Sequence, residues 1–336
     1  MPPRPPTMNA LVTGGTGFVG GAIVRELLRR GHRVRVLARP TSKTAALEKL
    51  GVEIVRGDIL DRGSIERALE GCDTLFHAAA IYETWVPDKD LLMRTEVEGT
   101  RNALEAALKA GVRRAVYTST AACVGERRGQ TGTERTPHRG YFLTAYEEAK
   151  HRAEQAAREY AGRLPMVILQ PAAVTGPGDL KPTGQAVIDM INGRFPALFH
   201  GVLTFVDAGD AARGHVAAAE QERWGETFIL AAEILTTREF FGMVAELAGV
   251  RRPPFVPSVA AGWFARFEEW RARRTGRRPV LTRDSFEVAR HGFRVDGSKA
   301  ARELGIRYRP IRESLREAIR WYWEQGLLER RPACAG

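Results

Sequence analysis

Short apolar runs rich in β-branched residues recur through the first half of the chain, each followed by a stretch whose apolar positions repeat with helical spacing. The runs at 10–13, 33–38, 52–56, 74–77, 115–118 and 166–169 predict strands. Helices are predicted near 19–30, 45–50, 64–69, 90–110 and 145–160, closing at breaks such as Gly31, Gly71 and Gly111. Alternation of this kind means stacked βαβ units. The fold class read from the chain is therefore α/β, a Rossmann-type doubly wound parallel sheet with a smaller, mostly helical substrate lobe.

After Pro171 the rhythm changes. Residues 176–182 have loop chemistry, 204–207 and the helical pattern at 208–222 predict a return to the sheet, and 227–230 a further short strand. From 237 onward the pattern is mostly helical. The division expected is a dinucleotide-binding domain at 8–178, with 203–232 returning to it. A lobe would be assembled from 179–202 and 233–330, with flexible tails at 1–7 and 331–336.

The first predicted strand runs into Gly14-Gly15-Thr16-Gly17-Phe18-Val19-Gly20. Glycines at 14, 17 and 20, between a strand and a helix, meet the needs of a dinucleotide pyrophosphate: a tight turn, close backbone approach, and close helix–strand packing. The helix start adds free N–H groups and a positive dipole end. At the end of the second strand, where NAD-binding chains usually place an acid for the ribose 2′-hydroxyl, stand Arg39 and then Lys43 with no acid between. A guanidinium there suits a 2′-phosphate, so the cofactor expected is NADP, with NAD the alternative.

Far downstream, Tyr146 and Lys150 lie four residues apart, on one face of a predicted helix. Alone, such a pair is an ordinary solvent-facing helix pair. Behind a cofactor loop, and with the Thr118-Ser119-Thr120 strand end before it, the pair reads as a proton donor and its cation. A free phenol ionises near pH 10, and a neighbouring ammonium together with a cationic nicotinamide favours the phenolate by about 1–3 pK units.

Composition alters this picture little. The 336 residues carry 51 Lys and Arg against 40 Asp and Glu, a formal charge of +11, with arginine far outnumbering lysine. Arginine clusters occur at 271–274 and 277–278, but no aromatic-interleaved nucleic-acid module surrounds them, so no nucleic-acid partner is expected. No apolar run approaches a membrane span, and no stable membrane insertion is expected. The segment 259–274, with Trp263, Phe264, Phe267 and Trp270 among arginines, is either a basic membrane-surface helix or a cover for the protein's own cleft; the cover is the preferred reading. The opening Met1-Pro2-Pro3-Arg4-Pro5-Pro6 has no apolar signal region. Cys72, Cys123 and Cys334 lack paired or metal-like spacing, so no metal or structural disulfide is expected and a cytoplasmic location is. His77 and Cys123, in apolar strand-end contexts, read as structural.

Together, Gly14–Gly20, Gly57-Asp58-Ile59, His77-Ala78-Ala79-Ala80, Val97-Glu98-Gly99-Thr100, Thr118-Ser119-Thr120, Tyr146 with Lys150, and the run from Pro171 to Pro177 resemble the extended short-chain dehydrogenase/reductase superfamily. The resemblance is greatest to dihydroflavonol 4-reductase-like enzymes and the hopanoid-associated sugar epimerase group. It implies a cofactor site of Gly14, Thr16, Gly17, Phe18, Val19, Asp58, Ile59, Ala78, Ala79 and Ala80. Thr118, Ser119, Tyr146, Lys150, Pro171, Ala173 and Val174 would complete it. Asp58 and the Ile59 backbone would meet the adenine, Ala78 and Ala80 the nicotinamide ribose, and Pro171 and Val174 the carboxamide. Tyr146 would be the general acid, Lys150 its cation, and Thr120 the partner hydroxyl, with Ser119 second. A homodimer through the helices at 90–110 and 145–160 is also implied. One departure stands out: Glu96 occupies a position where the family pattern usually has Asn, and it could substitute as an acceptor.

Tyr82 and Trp85 after the fourth strand, with Tyr141 and Phe142 before Tyr146, are expected at the nicotinamide mouth, pointing to an apolar or aromatic small-molecule carbonyl substrate. Interlobe packing would account for them as well. The leading expectation is an NADP-dependent reductase of a ketone or aldehyde; the alternative is a nucleotide-sugar epimerase or dehydratase that returns its hydride. A cofactor-sensing regulator is disfavoured by the retained tyrosine–lysine pair.

Overall fold

The computed structural model describes residues 6–83, 85–86 and 88–335. Its strands are β1 (Asn9–Thr13), β2 (Arg33–Ala38), β3 (Glu53–Arg56), β4 (Thr74–His77), β5 (Arg114–Thr118), β6 (Met166–Pro171), β7 (Ala173–Thr175), β8 (Val202–Asp207), β9 (Thr227–Leu230) and β10 (Glu233–Thr236). Its first helices are α1 (Phe18–Arg29), α2 (Ala45–Glu48), α3 (Arg62–Leu69), α4 (Lys89–Lys109) and α5 (Ala145–Arg158). Then follow α6 (Pro182–Ile191), α7 (Ala208–Glu220), α8 (Thr237–Ala248), α9 (Ser258–Thr275), α10 (Arg283–His291), α11 (Ser298–Glu303) and α12 (Ile311–Glu324).

Seven strands form a parallel sheet in the order β3-β2-β1-β4-β5-β6-β9. The chain starts in the middle, winds out to β3, and returns to pair β4 with the other side of β1, Thr13 opposite His77. That reversal opens a crevice at the carboxyl ends of β1 and β4, where such sheets hold ligands. Both faces of the sheet are covered, so its strands alternate between two interiors rather than between interior and water. In β1, Ala10 and Val12 join an apolar cluster with Ile23 and Leu27 of α1 and Val216 of α7. Leu11 points the other way, among Ile65 of α3, Ala103 and Ala107 of α4, and Ala157 of α5.

The lobe has its own cluster, built from Val187 and Ile188 of α6, Phe240 and Val244 of α8, and Leu315 and Ile319 of α12 around Phe205 of β8. Here the structure corrects the sequence reading. The 204–207 run does not re-enter the large sheet; β8 pairs with β7 and β10 in a separate three-stranded sheet, order β10-β8-β7. Only α7 and β9 return, α7 against α1 and β9 beside β6. The short β7 and β10 have too few residues to show a period, and were missed for that reason. At the C-terminus, residues 333–335 form a 3-10 turn on α8 and α12, with Cys334 against the lobe's cluster, in place of the free tail expected at 331–336. Residues 1–5 and Gly336, expected as tail, lie outside the described residues.

Candidate active site

The crevice between sheet and lobe is a cleft of about 1380 Å³. That exceeds the roughly 300–1,000 Å³ of an ordinary small-molecule pocket and leaves room for a dinucleotide and a second molecule.

Backbone forms its floor. Gly14 has φ +73°, and a Cβ there would lie 2.6 Å from the Ala78 carbonyl carbon and oxygen. A Cβ on Gly20 would fall on the Gly14 carbonyl oxygen. Neither obstacle is a side chain that can rotate away, so the loop folds only with glycine at both positions. Gly17 caps α1 without any side-chain hydrogen bond and the first turn holds no acid, so the leading N–H groups of α1 face the cleft with their dipole uncompensated.

The second strand ends with Arg39 at the cleft edge, exposed and ion-paired with no acid among the described residues. Arg56 donates to the carbonyls of Arg39 and Ser42, 3.2 Å each, and so ties down the turn that carries them. Lys43 is exposed and does not line the cleft. Asp58 does, its Oδ1 accepting from the Leu60 N–H at 2.9 Å. Ile59, Thr16, Phe18, Val19, Ala78, Ala79, Ala80, Thr118, Ser119, Pro171, Ala173 and Val174 are brought to the same cleft.

Tyr146 and Lys150 project from the first turns of α5. Thr144 caps that helix, accepting from the Glu147 N–H at 3.0 Å, and the Glu147 carboxylate turns back to accept from the Leu143 N–H at 2.7 Å. Lys150 is buried, its Nζ donating to the Thr118 carbonyl at 3.2 Å and paired with the Glu96 carboxylate at 3.3 Å. Glu96 also accepts from the Ile81 N–H at 2.6 Å, so a buried acid where the family pattern has Asn ties the catalytic-side loop to the lysine. Burial is the largest influence and works against the ammonium, but Glu96 together with Tyr117, Tyr146 and Cys123 outweighs it, and the Lys150 pKa is raised. At Tyr146 burial dominates too, pushing the phenol up, while Lys150 pulls it down and Glu96 pushes it up. The lowering by the lysine alone is outweighed by desolvation. A phenol held neutral in this way is a proton donor.

The two candidate hydroxyls differ in what they already hold. Ser119, at the same cleft, is buried and donates to Glu154 at 2.5 Å. Thr120 lines the cleft with its Oγ1 accepting from the Ala122 N–H at 3.3 Å, leaving its own proton to give. His77 is fully enclosed: Nδ1 meets Thr13 Oγ1 at 2.8 Å, and the ring stacks on Tyr117. Its pKa is pushed down to about 3, by burial first and then by Lys150, so it stays neutral.

Of the expected mouth aromatics, Tyr82 lines the cleft, its ring 5.3 Å from that of Tyr146 and its pKa pushed up to about 12 by burial. Trp85 and Tyr141 do not line it. Tyr141 turns outward beneath the Arg139 guanidinium, and Trp85 lies under Arg273 of α9. Each aromatic has a cation on its face. The sequence reading also missed residues that do line it. One set is an aromatic wall of Phe195, Phe199, Phe205, Phe240, Phe241 and Phe293, in runs indistinguishable from core. The other is a buried charged group, Glu126, Arg139 and Glu147, in which Arg139 pairs with Glu147 and burial raises Glu126 to about 7.

Residues 10–231 match the NAD dependent epimerase/dehydratase family. A protein of Synechocystis sp. described provisionally as a dihydroflavonol 4-reductase is 35% identical over 329 residues, 95% of each chain. Sterol demethylase protein B of Methylococcus capsulatus is 34% identical over 96% of this chain and 100% of that one. The solved dTDP-glucose 4,6-dehydratase of Streptomyces venezuelae, with NAD bound, has a TM-score of 0.77 at 27% identity, over 96% of this chain and 99% of that one. With the glycine cradle and the tyrosine–lysine pair in one cleft, these likenesses agree: the chain belongs to the NAD dependent epimerase/dehydratase family of extended short-chain dehydrogenase/reductases, and is an NAD(P)-dependent oxidoreductase of that type.

Proposed function

We propose that the protein is an NADP-dependent reductase that converts a ketone or aldehyde on an apolar molecule to the alcohol. The observation that carries this reading is the place of Tyr146: a half-buried phenol in a cleft with the glycine cradle on one side and six phenylalanines on the other. Gly14, Gly17 and the α1 N-terminus would hold the pyrophosphate, Asp58 would flank the adenine, and Arg39 would pair with the 2′-phosphate. NADPH, when bound, would supply the hydride.

The side chains do the rest. Tyr146 gives its proton to the carbonyl oxygen, Thr120 holds that oxygen by a hydrogen bond, and Lys150 stabilises the phenolate left behind. Glu96, with the Thr118 carbonyl, fixes the Lys150 ammonium in place. The aromatic wall favours an apolar substrate over a nucleotide sugar. Of the lobe-side arginines at the cleft, Arg194 is engaged by Glu329 and Arg278 by Glu83, while Arg277 pairs with no acid among the described residues.

The family name and the dehydratase structure favour a second reading, in which the hydride returns to a nucleotide sugar with no net redox change. NADPH deuterated at the transferable position separates the two, offered with aromatic ketones in one set and nucleotide sugars in another. Deuterium in a released alcohol, with matching loss of reduced-cofactor absorbance, supports the reductase. Turnover of nucleotide sugars alone, without cofactor consumption, replaces it with the second reading.

A further inference from the structure

The helix α9 was expected to cover the cleft, and its position shows otherwise. None of residues 258–276 lines the cleft; the segment at 277–282 and α10 stand between. Its inner face, Ala261 and Ala265, packs on Phe286 and Ala289 of α10 and on Phe199. Its outer face is unusual. Val259 is 74% exposed, Trp263 67%, Phe267 53% and Trp270 50%, four large apolar side chains on one stripe of a single helix. Monomeric surfaces rarely leave such a stripe in water without a partner.

The charge around the stripe identifies the partner's chemistry. Arg266, Arg273, Arg274, Arg277 and Arg278 are all exposed along and just beyond it. Arg266 lies 5.5 Å over the Trp263 ring and Arg274 4.4 Å over Trp270. The two acids of α9, Glu268 and Glu269, face inward and are used, Glu268 by Arg271 and the Val280 N–H, Glu269 by the Arg283 N–H. The outer face therefore sets tryptophan and phenylalanine beside positive charge: Arg273 lies 4.0 Å from Glu269 and Arg278 pairs with Glu83, while Arg266, Arg274 and Arg277 pair with no acid among the described residues. An apolar stripe bordered by arginines matches the boundary of an anionic bilayer, where rings sit at headgroup depth and cations meet lipid phosphates.

We propose that α9 docks the protein peripherally on anionic phospholipid membranes, with Val259, Trp263, Phe267 and Trp270 inserted and the arginines on the headgroups. No helix among the described residues is long and apolar enough to cross a membrane, so the contact is to one leaflet. Docking brings the cleft's rim to the lipid, because Arg278 lines the cleft and pairs with Glu83, and the half-exposed Leu180 lines the same rim. An apolar molecule dissolved in the leaflet then has a short path to the cleft. The surface stands apart from the identity of the substrate.

The test is co-sedimentation of the full chain with vesicles of phosphatidylcholine, alone or with about one-third phosphatidylglycerol. Strong binding to the anionic vesicles, weak binding to the neutral ones, and release by high salt are expected. Trp263→Ser with Trp270→Ser should lower partitioning about tenfold or more. Arg266→Glu with Arg274→Glu, at exposed positions that hold no acid and leave the inner packing alone, should abolish the preference for anionic lipid. Cofactor binding and thermal unfolding report that each variant is folded. Equal partitioning of parent and variants, or no sedimentation of the parent, overturns the proposal. So does light scattering that shows a parent dimer split by the tryptophan changes, because a second copy would then cover the stripe.

Discussion

On its cofactor side the cleft is bounded by backbone; on its lobe side it is bounded by rings. A methyl group added at Gly14 or Gly20 would strike main-chain atoms held in the sheet, which have nowhere to go. Across the cleft, Phe240 stacks on Phe205 at 4.3 Å and meets Phe241 edge-on at 5.2 Å. Those contacts are between side chains, and another set of apolar residues of similar total volume could replace them. The contrast is one of tolerance: the backbone-bounded wall admits no side chain at Gly14 or Gly20, and the ring-bounded wall can be rebuilt from other apolar residues. Tyr146 stands at the seam, on a helix belonging to the first side, with its ring near Tyr82 and the lobe.

The largest effect is expected at that seam. Tyr146→Phe removes a proton donor without opening a cavity, so turnover should fall about 10²–10⁴-fold while cofactor affinity holds. Stopped-flow turnover beside fluorescence titration of NADPH checks this. Retention of more than about a tenth of the activity would remove Tyr146 from the mechanism.

A smaller effect isolates the cofactor side. Arg39→Asp turns a partner of the 2′-phosphate into a repelling charge and leaves a 2′-hydroxyl acceptable. Charge-assisted contacts of this kind are worth about 1.5–3 kcal/mol, so NADPH affinity should drop roughly 10–150-fold with NADH little changed. Equal affinity of the parent protein for both cofactors would sink the assignment.

The same contrast governs what could be read from the chain. The large sheet was legible because β-strands buried on both faces write continuous apolar runs, and because glycine is forced wherever backbone approaches backbone. Thr74–His77 was placed to the residue. The lobe was not legible in that way. β8 has the same apolar character as the large sheet's strands, and only its partners β7 and β10, short and distant in sequence, assign it to another sheet. Tyr141 and Trp85 were expected in the cleft from proximity along the chain, yet they lie outside it, each with an arginine on its ring. Glu96 was visible as a departure from a pattern, but its ion pair with Lys150 depends on how α4 packs against α5.

The last effect, on stability rather than turnover or cofactor affinity, probes charge buried on the lobe side. Glu126 is 1% exposed; its Oε1 accepts from the Arg294 N–H at 3.3 Å and its Oε2 has no partner. Burial raises its pKa to about 7, and Asp179, also buried, is likewise raised to about 7. A carboxyl raised on folding binds its proton more tightly in the native state than in the unfolded chain. Stability from Glu126 is then full below its unfolded value, near 4.5, and declines as pH climbs toward 7. The buried His77 and His215 oppose this, because their pKa values, pushed down to about 3 and about 4, make stability rise over part of the same window. The informative quantity is therefore the difference between parent and Glu126→Gln. Near pH 4.5 the two should unfold alike. By pH 8 the variant should be ahead by roughly 2–3 kcal/mol, since it carries no charge to desolvate. Urea unfolding at intervals of pH measures that gap directly, and a gap that does not widen between pH 5 and 8 would show that Glu126 is solvated rather than sealed behind the lobe.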